Sequence, residues 1–509
     1  MSQLVHRANL SAASFPFIST LHGQTVIVRG QDTTYNPAVT SKEDADKDAG
    51  IPQIYYAHNV LPHAQGFLAV GYDNDKIATA VVTFTSVHLI KDSTGNKGYI
   101  AFTSTGDFYT LQDGDTVFTW RLSVAAAAGK AIYVTHIAGV SYIYVANTGC
   151  YTYNFTAHVV LAVTLTGLTA ANVIGICAAS GYLLAWTVDT LAWSSLVDPT
   201  DFTPSLATGA GSGSIEGVKG KISFCMAFSL GFYVCTTGNI VVALASGNVR
   251  YPFVYKEVAG SGGIKDPMLA SFRSNTAAQY LYTASGLQVI TPQGANTVFP
   301  EVVDFLAGQQ FEDFDETSNT LSQANIYVTM KKAIAVISDR YVVISYGVSE
   351  LTHALVYDLI MKRWGKLKVT HVDCFEYQLL DPETVESAKK GVAFLLKDGS
   401  IKILNSSLDS RTASGVMILG KFQYVRARNL QLHGVTVENI TFTDNFRLYD
   451  MPTLDGKTFL PIVEGTLSNI PGLIRVYKFR VTGKNHSLLF KGAFHAVSIG
   501  LTFSQHGAR

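Results

Sequence analysis

A chain of 509 residues exceeds one compact core of ordinary size, and implies two to four domains or one large all-β body with an appended domain. Only 15% of its residues are charged, against about 25% in an average chain, while 48% are aliphatic, aromatic or cysteine. Either much of the chain is buried, or other subunits cover much of its surface. Lysine plus arginine balances aspartate plus glutamate at 38 each, which excludes a basic nucleic-acid-binding domain and gives no steering toward anionic lipid.

No window approaches the ~20 consecutive apolar residues of a spanning helix, so no membrane-spanning segment is predicted. The opening stretch from Met1 to Phe17 lacks the continuous apolar run of a signal peptide, which leaves sequons such as Asn154-Phe155-Thr156 incidental. Five cysteines, Cys150, Cys177, Cys225, Cys235 and Cys374, are odd in number, show no CxxC spacing and sit among β-type residues. They read as buried free thiols of a protein folded in a reducing cytoplasm.

In chain order, residues 1–60 are expected to form an N-terminal arm or platform segment. It holds a strand-like Thr25–Val28 and a polar run from Ser41 to Gly50 that reads as a solvated loop. Strand signals then dominate, with short Val/Ile/Thr/Tyr/Phe runs broken by turns. Seven segments read as β-hairpins, turning at Gly106, Gly149, near Asp189, at Gly238, at Gly286, near Ile360 and at Asp398-Gly399, the last as a type I′ turn.

Successive turns lie 39–49 residues apart, except for one gap of 74. One four-stranded propeller blade occupies about 40–50 residues, and seven hairpins over so long a stretch do not fit one sandwich. The expected fold is an all-β propeller over residues 61–405. Six blades are favoured, because one hairpin can belong elsewhere, and seven is the alternative. The long gap implies an insertion around 290–350. Weak helical patterns cover Glu301–Gly308 and Pro382–Lys390. From about 406 the hairpin period ends, and strands such as Gly420–Arg426, Gln431–Val437 and Ala496–Phe503 indicate a separate C-terminal β-domain, residues 406–509.

Reactive chemistry finds little purchase. His58 and His63 are separated by a Leu-Pro turn and read as surface or capping residues rather than a ligand pair. Glu312, Asp313, Asp315 and Glu316 lack the alternating ligands and central glycine of a calcium loop and read as a solvated loop. In Gly217–Ile222, Ile215 and Ile222 stand where a phosphate loop needs Gly and Ser or Thr. The Gly-rich runs 209–213 and 260–263 open no helix after a strand and read as tight strand crossings. Carboxylate pairs for glycoside hydrolysis meet in space rather than in sequence, and nothing singles one out. No catalytic, cofactor-binding or metal-binding residue is expected, and the 25 Tyr and 28 Phe read as packing between blades.

One stretch is more distinctive. Trp193-Ser-Ser-Leu-Val-Asp198-Pro199-Thr-Asp201-Phe202-Thr-Pro204 ends a strand at Trp-Ser and turns at Asp-Pro, where proline fixes φ and biases its predecessor away from helix. It resembles the W-S-x-x-x-D-P-x-D-F-x-P segment of tail proteins from short-tailed bacteriophages. Gly238–Val242, Arg250–Val254 and Gly260–Ile264 follow in the order seen in that group. Upstream, Gly50–Tyr56, His58–Pro62 and Gly66–Gly71 resemble the group's entry into its first blade.

The resemblance covers roughly residues 50–265 and implies a tail nozzle or tail-hub protein of the virion, assembled in the host cytoplasm. It implies a homohexameric ring below the portal and head-to-tail adaptor, with genomic DNA passing through the lumen without sequence specificity and fibres or spikes at the side or tip. Trp193, Asp198, Pro199, Asp201, Phe202 and Pro204 carry packing in that motif, not catalysis. A tail-associated propeller that degrades polysaccharide, or one that binds a receptor, is the alternative.

Overall fold

The computed structural model describes residues 3–9, 25–27, 54–63, 66–74, 82–249, 251–265, 278–300, 302, 311–315, 317–318, 320–324, 331–337, 340–378, 391–405, 414–419, 421–423, 429–442, 447–450, 460–463, 474–483 and 486–506. The chain is all-β, and its larger part is a β-propeller. Four antiparallel sheets of four strands follow one another over residues 84–123, 132–163, 175–214 and 222–257, blades 1 to 4. Blade 5 contributes three described strands over 279–297. Blade 6 spans 331–371, and blade 7 consists of three strands over 373–405 joined by Gly71–Asn74.

Packing between blades defines the wheel. Six clusters of buried apolar side chains lie between neighbouring sheets rather than within them, and one closes the circle by setting Phe375, Tyr377 and Leu395 of blade 7 against Phe84, Val87 and Tyr99 of blade 1. The Val87 amide donates to Asp373 Oδ2 (2.9 Å) across the same seam. Seven blades therefore form the circle, one more than the favoured six.

Strand composition follows position. The second strand of a blade is covered on both faces, so it reads as a continuous apolar run rather than an alternation: every residue of Gly231–Thr236 and Tyr182–Trp186 is buried. The outermost strands Thr119–Ser123, Val159–Val163 and Tyr251–Glu257 are largely exposed.

Five of the seven expected turns connect the second and third strands of a blade, at 104–106, 146–148, 187–189, 237–239 and 396–400, and a sixth, 284–285, connects the first two described strands of blade 5. The turn near Ile360 is different. It joins the third and fourth strands of blade 6, Leu351–Asp358 and Arg363–His371, whose second-to-third turn lies at 348–350. This misplaced turn lengthened the gap to 74; measured to 348–350 it is about 63, still the longest, because of the insertion between blades 5 and 6. The turn at Asp398-Gly399 is not type I′, because only Gly399 has positive φ (+88°). Gly399 N–H donates to Leu396 O and Leu396 N–H to Ser400 O, the pattern of a type I turn followed by a left-handed glycine bulge.

Between blades 5 and 6 the insertion carries a hairpin, Phe311–Asp315 with Thr320–Ala324. The acidic run expected to be a solvated loop is thus mostly strand, and Asp315 accepts from Thr317 N (2.9 Å) and Ser318 Oγ (2.7 Å) to shape its turn. Residues 382–390, and all but one of 301–308, lie outside the described residues.

The N-terminal segment is divided between two bodies. Val60–His63 and Gly66–Ala69 form a hairpin that extends the blade 6 sheet into a second unit, in the order Arg363–His371, Val60–His63, Gly66–Ala69, Phe494–His506, Asn429–Phe442, Ile474–Gly483. Gln3–Asn9 also pairs with Phe494–His506, and Thr25–Ile27 pairs in parallel with Lys421–Gln423. A second sheet runs Ile54–His58, Gly415–Leu419, Leu488–Gly492, Arg447–Asp450, Leu460–Val463. The stretch expected to enter the first blade instead builds the C-terminal unit through residues 54–69. Only Gly71–Asn74 belongs to the wheel, as the outer strand of its last blade.

Asn59 is the knot of this junction. Its φ of +51° is a left-handed conformation that asparagine tolerates better than other non-glycine residues. Its Oδ1 accepts from Tyr72 Oη (2.9 Å) and Lys368 N (3.0 Å), and its Nδ2 donates to Ser414 O (3.3 Å). Blades 6 and 7 and the second unit thus meet on one side chain. Asn59→Ala is expected to cost about 2–3 kcal/mol, from backbone strain plus lost partly buried hydrogen bonds. Asn59→Gly recovers only the backbone share, and urea unfolding followed by circular dichroism separates the two.

Candidate functional site

The segment from Trp193 to Pro204 lies in blade 3, between its third strand, Thr190–Trp193, and its fourth, Gly211–Ser214. Trp193 ends the third strand, and its indole Nε1 donates to Gly209 O (2.9 Å). Gly211 sits directly opposite, where a Cβ would lie 2.8 Å from the indole ring. The glycine-rich strand is therefore what lets the tryptophan lie flat against the backbone.

Asp198 Oδ1 accepts from Thr200 N (2.8 Å) and Thr200 Oγ1 (2.7 Å), closing the turn that Pro199 initiates. These bonds hold the exposed Asp198 carboxyl below its ordinary range. Asp201 O accepts from Ser195 N (2.7 Å), its Oδ1 accepts from Thr203 N (2.9 Å), and Asp201 bridges to Thr166 of the preceding connection. Phe202 is buried and belongs to the core between blades 2 and 3, with Tyr142, Tyr144 and Leu183. Gly167, at φ +87°, runs so close beneath it that a Cβ would lie 2.8 Å from the Phe202 backbone. Asp201 and Phe202 therefore pin a long connection back onto the neighbouring blade, while Trp193 and Asp198 fix its course within blade 3.

Pro204 faces elsewhere. With Trp193, Leu206, Val249, Tyr251 and Phe253 it lines a cleft of about 560 Å³ between the outer strands of blades 3 and 4. None of the described lining residues is charged. One wall is the strand Gly211–Ser214, which among the described residues is an edge strand paired with Thr190–Trp193 alone. A strand edge of this kind keeps backbone donors and acceptors directed outward. This cleft lay beyond sequence reasoning, because its walls are separated by some forty residues of intervening strand. The Trp193 motif supplies one wall, and Val249, Tyr251, Pro252, Phe253 and Tyr255 supply the other.

Among the described residues fifteen large apolar side chains are exposed, and thirteen of them lie in blades 1 to 4. The opposite arc is covered differently: the blade 6 sheet continues into the second unit, and blade 7 is closed by Gly71–Asn74.

All five cysteines are buried free thiols. Burial pushes the Cys150 thiol up to about 12 and holds Cys225 and Cys235 well above the ordinary range, which leaves them unreactive. His58 is fully buried, with its Nδ1 3.1 Å from Tyr56 Oη, so it is neither a surface nor a capping residue. His63 sits on the following strand with its ring edge-on to His495, centroids 4.7 Å apart. Among the described residues no three His, Cys, Asp or Glu side chains gather as a metal site requires. The run 209–213 yields to Trp193 as described. Gly263 passes so near Thr237 O that a Cβ would lie 2.0 Å away, and Gly220 has φ of +86°. Among the described residues no helix is long and apolar enough to cross a membrane.

No protein-family model and no curated relative matches this chain. Among solved structures it is similar to the WD40 β-propeller domain of Doa1 (7% identity, TM-score 0.38, covering 67% of this chain and 98% of that one). It is also similar to BamB from Moraxella catarrhalis (9%, 0.35, 70% and 98%) and to YCF48 from Cyanidioschyzon merolae (11%, 0.39, 65% and 98%).

Proposed function

We propose that this chain is a non-catalytic structural subunit of the tail of a short-tailed bacteriophage. Six copies form a nozzle or hub ring below the portal and adaptor, which continues the DNA channel and carries fibres or spikes. The phage assignment rests on the resemblance of Trp193–Pro204 and its flanking segments.

The observation that supports the structural reading is the set of thirteen large apolar side chains exposed among the described residues of blades 1 to 4. Scattered exposed apolar residues are ordinary, whereas concentrated ones mark surfaces that a partner covers. A chain this poor in charge suits a subunit whose flanks are hidden by identical neighbours.

Purified full-length protein at micromolar concentration is expected to sediment as a multimer and to show six-fold rings in electron micrographs. A strictly monomeric species under those conditions overturns the reading. So does a multimer whose added oligosaccharide is cleaved.

A further inference from the structure

We infer that a projecting arm of blade 4, with the turns beside it, dips into the headgroup region of a lipid bilayer. The contact is interfacial: it neither spans the membrane nor depends on anionic lipid. It goes beyond the ring-forming reading and stands without it.

In blade 4 the first and second strands, Ile222–Phe228 and Gly231–Thr236, turn at Leu230, and Gly231 pairs with Leu244 of the third strand. The third and fourth strands continue past that turn as a hairpin, pairing Ala245 with Phe253 and Asn248 with Tyr251. Every residue from Leu244 to Val249 is exposed. Phe253 is buried, edge-on to Tyr182, Trp193 and Phe232, so the arm is anchored at its base while its tip stands clear.

The arm and its surroundings expose apolar side chains. Tyr251 is 64% and Val254 59% exposed on the arm, and Leu206 is 75% and Leu230 69% exposed beside it. Leu206 shares the arm's end of the wheel: it lies in the turn closed by Gly209 N–H donating to Ser205 O, and a Cβ on Gly209 would lie 3.0 Å from Val249.

Tyr251 and Val254 point to opposite faces of the hairpin, because side chains alternate along a strand. A protein partner laid on a sheet covers one face, whereas a lipid interface surrounds an immersed hairpin on both. The tip also turns its polar groups inward. Ser246 Oγ accepts from Asn248 N (3.0 Å) and donates to Tyr251 O, which lowers the cost of leaving water. Tyrosine suits the headgroup level, with an apolar ring and a polar hydroxyl. Over residues 244–255 the sequence holds one charge, Arg250, and an arginine at a lipid surface keeps its guanidinium among the headgroups. The connection 194–210 adds Asp198 and Asp201, so this end offers no excess of positive charge to anionic lipid.

The test mixes full-length protein with neutral phosphatidylcholine vesicles and reads flotation on a density gradient. Wild-type protein is expected to float equally at about 0.1 M and about 0.5 M salt, since salt screens charge and not apolar contact. Leu206→Ser with Leu230→Ser, and separately Val249→Ser with Tyr251→Ser, are each expected to lower the ratio of bound to free protein at least about tenfold, from the apolar area no longer transferred. Trp120→Ser with Leu161→Ser, exposed on the outer strands of blades 1 and 2, is expected to leave flotation unchanged. Circular dichroism reads the fold, and should a pair unfold, its two single substitutions carry the comparison.

Wild-type protein that fails to float overturns the inference, as does flotation that requires anionic lipid or fades in high salt. Sedimentation velocity without vesicles keeps the two readings apart. A ring that falls to monomer with either pair from the arm's end assigns those residues to contacts between copies, which overturns the inference and leaves the ring-forming reading standing. A monomeric wild-type protein that floats overturns the ring-forming reading alone.

Discussion

Trp186→Ala lowers the unfolding free energy by about 3–5 kcal/mol, the cost of deleting a large buried aromatic from a packed core. Trp186 is fully buried at the end of the second strand of blade 3, in the core shared with blade 4. Its ring meets Tyr133 of blade 2 edge-on, with centroids 5.1 Å apart. The space is made by Gly175, its cross-strand partner, where a Cβ would lie 2.4 Å from the Trp186 ring and 2.8 Å from that of Tyr133.

Three blades thus depend on one indole. The loss is a large fraction of the ~5–15 kcal/mol that holds a typical domain. Urea titration by circular dichroism measures it, and a change below about 1 kcal/mol contradicts the packing described. Gly175→Val supplies the converse: it is disruptive in the native chain and better tolerated once residue 186 is alanine. A double-mutant cycle reads that coupling directly.

Acid is expected to weaken the protein before most carboxylates protonate. Burial brings the His371 imidazole down to about 4, and burial together with neighbouring His63 does the same for His495. The His371 ring is satisfied while neutral, with Nδ1 2.8 Å from Val369 O and Nε2 2.8 Å from Ser345 Oγ.

A histidine whose folded pKa lies below its unfolded value of about 6.5 is protonated first in the unfolded chain. Its contribution is therefore complete above pH 6.5, and it declines as the pH falls from 6.5 toward 4. At pH 5 the loss is about 2 kcal/mol for each of these two buried groups. Urea midpoints at pH 7.5 and pH 5.0 should differ accordingly, and His371→Gln should flatten part of the slope. A midpoint that stays level between those pH values refutes the assignment. His495 lies on Phe494–His506 where that strand meets Gly66–Ala69, so part of the acid loss falls within the second unit.

What local chemistry can specify was legible in the chain. Gly106, Gly286 and Gly399 all take positive φ at hairpin turns, and a residue without a Cβ announces such turns wherever it stands. The fully buried second strands declare themselves as apolar runs, because both faces are covered whatever the neighbours are. The spacing of these signals is enough to imply a wheel. The Trp193 motif was visible as a turn for the same reason, since Asp-Pro acts on its own backbone.

Tertiary structure alone decided the rest. Gly71–Asn74 closes a blade whose other strands begin 302 residues later, at Asp373, and no local pattern encodes a partner at that distance. Residues 54–69 carry the same β-type composition as a blade strand, so only packing assigns them to the second unit. The count of seven followed from the clusters between sheets, because the turn at Ile360 and the turn at 348–350 look alike until their strands are placed. The cleft belongs to this second class too: Trp193 and Tyr251 acquire a common space only when two outer strands are laid side by side.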